Sequence, residues 1–152
     1  KGKTQLIYQG YNGKFSHQNA NSLDFNLKTG EKIFAAREGT VVAVVENNTQ
    51  SCANISCAKF NNKIVVMHPD GTFADYVHLK LNGAEVKIGD EVKKGQFIGY
   101  SGNTGFSNGP HLHFALFLNR IDGKRDYLPT KFKTSESDSL LLEEGKSYTK
   151  NY

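Results

Sequence analysis

The stretch Asn62-Lys63-Ile64-Val65-Val66-Met67-His68-Pro69-Asp70-Gly71-Thr72-Phe73-Ala74-Asp75-Tyr76-Val77-His78-Leu79 decides the fold class. Residues 62–68 are apolar and rich in β-branched side chains, so they read as a strand. Pro69-Asp70-Gly71 is a turn signal, and residues 72–79 return at hairpin distance. The same style spreads outward in both directions. Short strand-like runs cover residues 23–27, 32–36 and 39–45 on one side, and 91–99 and 111–118 on the other. No segment holds a helical period for ten residues, which predicts a mainly β chain of short, regularly spaced strands. Longer connections are expected at residues 9–22, 46–61, 80–84 and 101–110, and loops held by a rigid sheet are where sites form. The tail from about residue 129 is either a loop with a final strand or partly mobile.

The chain has 152 residues, 38% hydrophobic and 22% charged. That is the size of a single domain with its own core, so one domain is expected over residues 1–152. No run approaches the roughly 18 apolar residues of a membrane span. Nineteen basic against fifteen acidic residues leave a formal charge of +4, enough to draw the protein toward an anionic surface. No basic run is interleaved with aromatics, so nucleic acid is not an expected partner. Nothing at Lys1-Gly2-Lys3 resembles a leader, so any signal peptide is expected to lie outside this stretch. Cys52 and Cys57 are too far apart for a CxxC redox motif. They read either as a small disulfide loop, which fits an oxidising compartment, or as two reduced thiols.

The chemistry concentrates in histidines. His111 and His113 stand two apart, so on a strand they share one face while Leu112 and Phe114 take the other. Two histidines on a half-exposed strand bind nothing in most proteins, and further residues must carry the case. Asp24 sits between Leu23 and Phe25 at the head of a strand, where a buried carboxylate needs a partner. His17 stands seven positions earlier. Two imidazoles and one carboxylate suit a catalytic zinc ion with its fourth position open. The plainer readings are a capping acid for Asp24 and a polar loop residue for His17. His78, at a strand end, is a candidate for the reaction rather than the metal, against a plain edge histidine. His68 precedes a turn proline and is given no function.

Six ordered motifs then converge. They are residues 17–25, Ala35-Ala36-Arg37-Glu38-Gly39-Thr40-Val41-Val42, Tyr76-Val77-His78-Leu79, residues 86–96, Gly99-Tyr100-Ser101-Gly102-Asn103-Thr104-Gly105 and Gly109-Pro110-His111-Leu112-His113-Phe114. Together they resemble the lysostaphin-type, or LytM-type, zinc endopeptidases from about residue 8 to residue 118. The resemblance implies an antiparallel β-sheet groove with site loops at its rim. It also implies one zinc ion per chain held by His17, Asp24 and His113, with His78 and His111 as the catalytic pair. In many members three residues separate the first ligand histidine from the aspartate, whereas six do here, which leaves the preferred cross-link open. The implied function is hydrolysis of amide bonds in peptidoglycan peptide cross-links by a secreted or periplasmic monomer of the cell envelope. Two other readings are weighed. One is a catalytically silent wall-binding or hydrolase-activator module of the same fold, which the presence of all five positions disfavours. The other is a biotinyl or lipoyl carrier, suggested by the echo between residues 29–33 and 88–92. It lacks a modifiable lysine at an exposed turn beside a methionine, because Met67 is followed by His68-Pro69.

The glycines at 102, 105 and 109 are expected to leave little bulk along one wall of the groove, so that an extended peptide can lie close to the backbone.

Overall fold

A computed structural model describes residues 3–150. In chain order the first strands are β1 (Lys3–Gln9), β2 (Ser22–Phe25), β3 (Lys32–Phe34), β4 (Gly39–Val45) and β5 (Ser51–Cys52). The central hairpin follows as β6 (Lys63–Met67) and β7 (Phe73–Val77), then β8 (Leu79–Ala84), β9 (Glu91–Val92), β10 (Phe97–Ser101) and β11 (Gly105–Phe106). The chain closes through β12 (Leu112–Asn119), β13 (Arg125–Leu128), β14 (Lys131–Phe132), β15 (Leu140–Leu141) and β16 (Ser147–Lys150). Apart from one short 3₁₀ turn at Ile55–Phe60, the elements described are strands.

Nine strands make one antiparallel sheet in the order β16-β1-β2-β12-β7-β6-β4-β9, with β13 also paired to β12. β2 and β13 occupy successive halves of one edge of β12, and β7 takes the other edge. A three-stranded sheet, β3-β10-β8, covers one face of the large sheet. Period-two alternation sorts the side chains. Val41, Ile64, Val66, Ala74, Tyr76, Leu112 and Phe114 point into the core and meet Ile33, Leu79 and Ile98. Tyr76 also ties the layers together, its hydroxyl accepting from Ala36 N–H at 2.8 Å. The residues between them, Asp24, Lys63, Asp75, Val77 and His113, fall on the opposite face by the same alternation, and that face floors an open cleft.

Several expectations change in the structure. Residues 80–84 are not a connection but lie in β8, paired through Ala84 to Gly99 of β10. The run at 91–99 is two strands, parted by a turn in which Gln96 N–H bonds to Lys93 C=O and Gly95 has φ +76°. The run at 72–79 breaks at His78, whose φ is +68°. The tail carries β14, β15 and β16. β16 pairs with β1, and Leu142 packs with Ile7 and Leu23 in a second small core. Cys52 and Cys57 form a disulfide beside β5. No helix among the described residues is long and apolar enough to cross a membrane.

Candidate metal centre

Register puts the first residues of the site in one row. Asp24 on β2 stands opposite His113 on β12, and His113 stands opposite Val77 on β7. His17 reaches the same point from the 10–21 loop, where His17 N–H bonds to Gly13 C=O and Ala20 N–H returns to His17 C=O. The six-residue spacing to Asp24 is taken up by this turn, and Asn19 adopts φ +60° within it. Asp24 Oδ1 lies 3.0 Å from His113 Nδ1 and 3.3 Å from His17 Nε2. The two ring nitrogens are 3.2 Å apart.

These distances suit a metal. Tetrahedral ligands at about 2.0–2.1 Å from a zinc ion stand about 3.3 Å from one another. The supporting bonds leave the right atoms free. His17 Nδ1–H donates to Gly10 C=O at 3.0 Å, which turns the Nε2 lone pair inward. Gln9 Nε2–H donates to Asp24 Oδ2 at 2.7 Å, which leaves Oδ1 for the cluster. Gln9 is itself held by Ser16. His17 and Asp24 are buried, and His113 is partly open to the cleft. Burial works to raise the Asp24 pKa, but hydrogen bonds and charge from His113 and His17 outweigh it and hold the carboxyl well below its ordinary range. Burial works to lower the His17 pKa, and the Asp24 carboxylate reverses this. A buried carboxylate facing two inward imidazole nitrogens is a donor set made for a divalent cation.

His78 and His111 complete the group. Their rings stand 4.4 Å apart, centroid to centroid. His78 Nδ1–H donates to Thr104 C=O at 2.7 Å, and His111 Nδ1–H to Gly109 C=O at 2.8 Å. Carbonyls only accept, so in both neutral rings Nε2 carries the lone pair. His111 Nε2 lies 3.7 Å from Asp24 Oδ1. Burial first, then the neighbouring His111 and His113, push the His78 pKa down to about 3. Burial also lowers the His111 pKa, against the pull of Asp24. All five residues singled out in the sequence therefore meet in one place. His68 lies apart, with its Nδ1–H on Glu38 C=O.

The cleft around them has a volume of about 280 Å³. Three of the four expected connections wall it, through Phe15 and Ser16, through Ile55, Ala58 and Asn61, and through Phe106, Ser107 and Asn108. The expectation of a bare glycine wall is corrected at Gly102 and Gly105, while Gly109 has open space around it. A Cβ on Gly102 would stand 2.3 Å from Lys80 N, and one on Gly105 1.7 Å from Asn61 Oδ1. Both glycines face their own chain, and the wall is built from Phe106 stacked on Phe15. Tyr8, Gln9, Ser107, Asp75 and Arg125 escaped the sequence reading. Tyr8 sits edge-on to His111, and burial, then the Asp24 charge, push its pKa up to about 12. At neutral pH it is a hydroxyl donor.

Comparison with known proteins fits this geometry. The description "Peptidase family M23" matches residues 18–125. The chain belongs to this family. Among M23 relatives, the glycyl-glycine endopeptidase ALE-1 of Staphylococcus capitis is 32% identical over 113 residues, covering 74% of this chain and 28% of ALE-1. Lysostaphin of Staphylococcus simulans is 29% identical over 150 residues, covering 85% of this chain and 28% of lysostaphin. The peptidoglycan DD-endopeptidase ShyA of Vibrio cholerae is 34% identical over 98 residues, covering 64% of this chain and 20% of ShyA. The solved catalytic domain of lysostaphin superposes with a TM-score of 0.58 at 30% identity, covering 83% of this chain and 88% of that domain. The chain thus spans under a third of the curated relatives it matches and most of one catalytic domain. The lysostaphin-type resemblance and the antiparallel β-sheet groove are both shown.

Proposed function

We propose that this chain is a single zinc-endopeptidase domain that hydrolyses amide bonds in peptidoglycan peptide cross-links, acting as a monomer at the cell envelope or outside the cell. One observation carries the reading. A triangle of inward-facing ligand atoms, with edges of 3.0–3.3 Å, shares a cleft with two histidines whose Nδ1–H groups are fixed on carbonyls. The names of the relatives add weight, since two are called endopeptidases of glycyl-glycine or peptidoglycan bonds.

His17 Nε2, Asp24 Oδ1 and His113 Nδ1 are the atoms that would hold the metal. When bound there, zinc would supply a water with a pKa of about 7 and would polarise the scissile carbonyl. The remaining steps belong to the chain. His78 and His111 both rest neutral, so each offers an acceptor at Nε2. His111, nearer the ligand triangle through Asp24, is placed to take the proton of the attacking water. The imidazolium so formed returns that proton to the leaving amine. His78, neutral and held by Nδ1–H on Thr104 C=O, turns its free Nε2 to the same cleft as a second acceptor that orients the attacking water. The charge developing on the carbonyl oxygen would fall to the metal.

The test combines metal content with product chemistry. Replacing His17, Asp24 or His113 with Ala is expected to lower bound zinc and activity together. Purified sacculi treated with the zinc-loaded enzyme are expected to release new amino termini without new reducing ends. Full zinc retention in all three variants, or glycan cleavage, would refute the proposal.

A further inference from the structure

Past the metal cluster the cleft continues along the sheet and meets a buried carboxylate that the chemistry above does not use. Lys63, Val77, His113 and Asp24 form one cross-strand row. Asp75 is the next cleft-facing position on β7, about 6.6–6.8 Å farther along the strand, the advance of two extended residues. Its cross-strand neighbours are Val65 and Ala115, neither of which has a side-chain donor. Asp75 Oδ2 accepts from Arg125 Nη1 at 2.8 Å. Asp75 Oδ1 is buried and has no hydrogen-bond partner among the described residues, on a side chain only 8% exposed. Native folds rarely leave such an acceptor unmet, and an occupant bringing an N–H would satisfy it. Arg125 is fixed as well, its guanidinium 3.9 Å above the Phe117 ring.

Charge narrows the occupant further. Lys63, a diagonal neighbour of Asp75 across β6 and β7, lines the same cleft as Arg125. Two cations and one anion leave 2 − 1 = +1 at this end of the cleft. A free ammonium would be repelled, whereas an amide N–H beside a carboxylate would meet all three groups. We infer that Asp75, Arg125 and Lys63 form a specificity subsite for a peptide segment that carries an amide N–H and a free carboxylate about two residues from the scissile bond. Such a segment belongs to an acidic stem peptide. An uncharged glycine bridge has the N–H but no carboxylate. The inference rests on the peptidase reading and selects among its substrates.

Two synthetic peptides with the same scissile amide test it, one with a free carboxylate at that position and one with a carboxamide. The wild-type enzyme is expected to favour the carboxylate by about tenfold or more in kcat/KM, mainly through KM. Lys63→Gln, at a half-exposed position, should shrink that preference without changing zinc content. In Asp75→Asn the amide oxygen goes to Arg125, so an NH₂ replaces the acceptor and opposes the substrate N–H. KM should then rise about tenfold on both peptides with zinc retained. Equal use of the two peptides by the wild type, or an unchanged KM in Asp75→Asn, would overturn the subsite. Zinc-loaded wild type that cleaves neither peptide would instead overturn the peptidase reading beneath it.

Discussion

At the scale of single residues, the four site histidines divide by how close the free nitrogen stands to Asp24. His17 Nε2 and His113 Nδ1 lie 3.3 and 3.0 Å from Asp24 Oδ1, whereas His111 Nε2 stands back at 3.7 Å and His78 is held away on Thr104 C=O. The division predicts different losses. His78→Ala and His111→Ala should retain zinc yet lower turnover by about 10²–10⁴-fold, the usual contribution of a positioned acid or base. Retained turnover within about tenfold of wild type in both would count against their roles. The pH sign follows from the shifts. Both imidazoles have pKa values below their ordinary range, that of His78 at about 3, so both are neutral acceptors at pH 7. Acid must fill them before activity is lost, so the acid limb of kcat/KM should fall below about pH 6.5, the unperturbed imidazole value. A cation between the ligands pushes the same way. His78 holds its place at φ +68°, a backbone conformation costly for a side chain-bearing residue and tolerated where surrounding bonds fix it.

At the scale of elements, the walls of the cleft depend on turns rather than on strands. Gly105 has φ +80°, and a Cβ there would strike Asn61, whose Oδ1 accepts from Phe106 N–H at 3.0 Å. Gly105→Ala should therefore destabilise by at least about 2 kcal/mol and loosen the Phe106 wall, whereas Gly109→Ala, with open space around it, should shift the urea midpoint little. Equal midpoints for the two variants would remove this account of the wall. The same contrast marks what the sequence makes legible. β12 and the β6–β7 hairpin announce themselves through local alternation and a Pro-Asp-Gly turn. Asp24 is visible as an acid between two apolar residues. β1 is not, because its partners are β2 and the distant β16, and its buried face carries the polar Gln9. Gln9 and Tyr8 become site residues only through that pairing. Asp75 gives the same signal as Asp24, an acid between Ala74 and Tyr76, but its partner Arg125 lies fifty residues away on a strand too short and polar to read.

At the scale of the whole molecule, the charge of +4 bears on where the enzyme works rather than on its chemistry. Nineteen basic residues spread over a 152-residue chain make a broad weak field, suited to holding a protein near an anionic polymer. Such attraction acts over the screening length, about 10 Å at 0.1 M salt and about 3 Å at 1 M. The ligand triangle and the His78 and His111 bonds are buried and screened far less. Salt should therefore slow hydrolysis of intact sacculi strongly while leaving cleavage of a short, uncharged carboxamide peptide nearly unchanged. The measurement is the rate of amino-terminus release from each substrate across a sodium chloride series, at fixed zinc. The uncharged peptide is the right control because it engages neither the anionic wall nor the cations at Lys63 and Arg125. A parallel decline on both substrates would place the salt sensitivity in the cleft or the fold and remove the role assigned to net charge. A decline confined to sacculi would tie the surplus of lysine and arginine to retention on the wall, separate from the three residues proposed to hold the metal and the two proposed to act on protons.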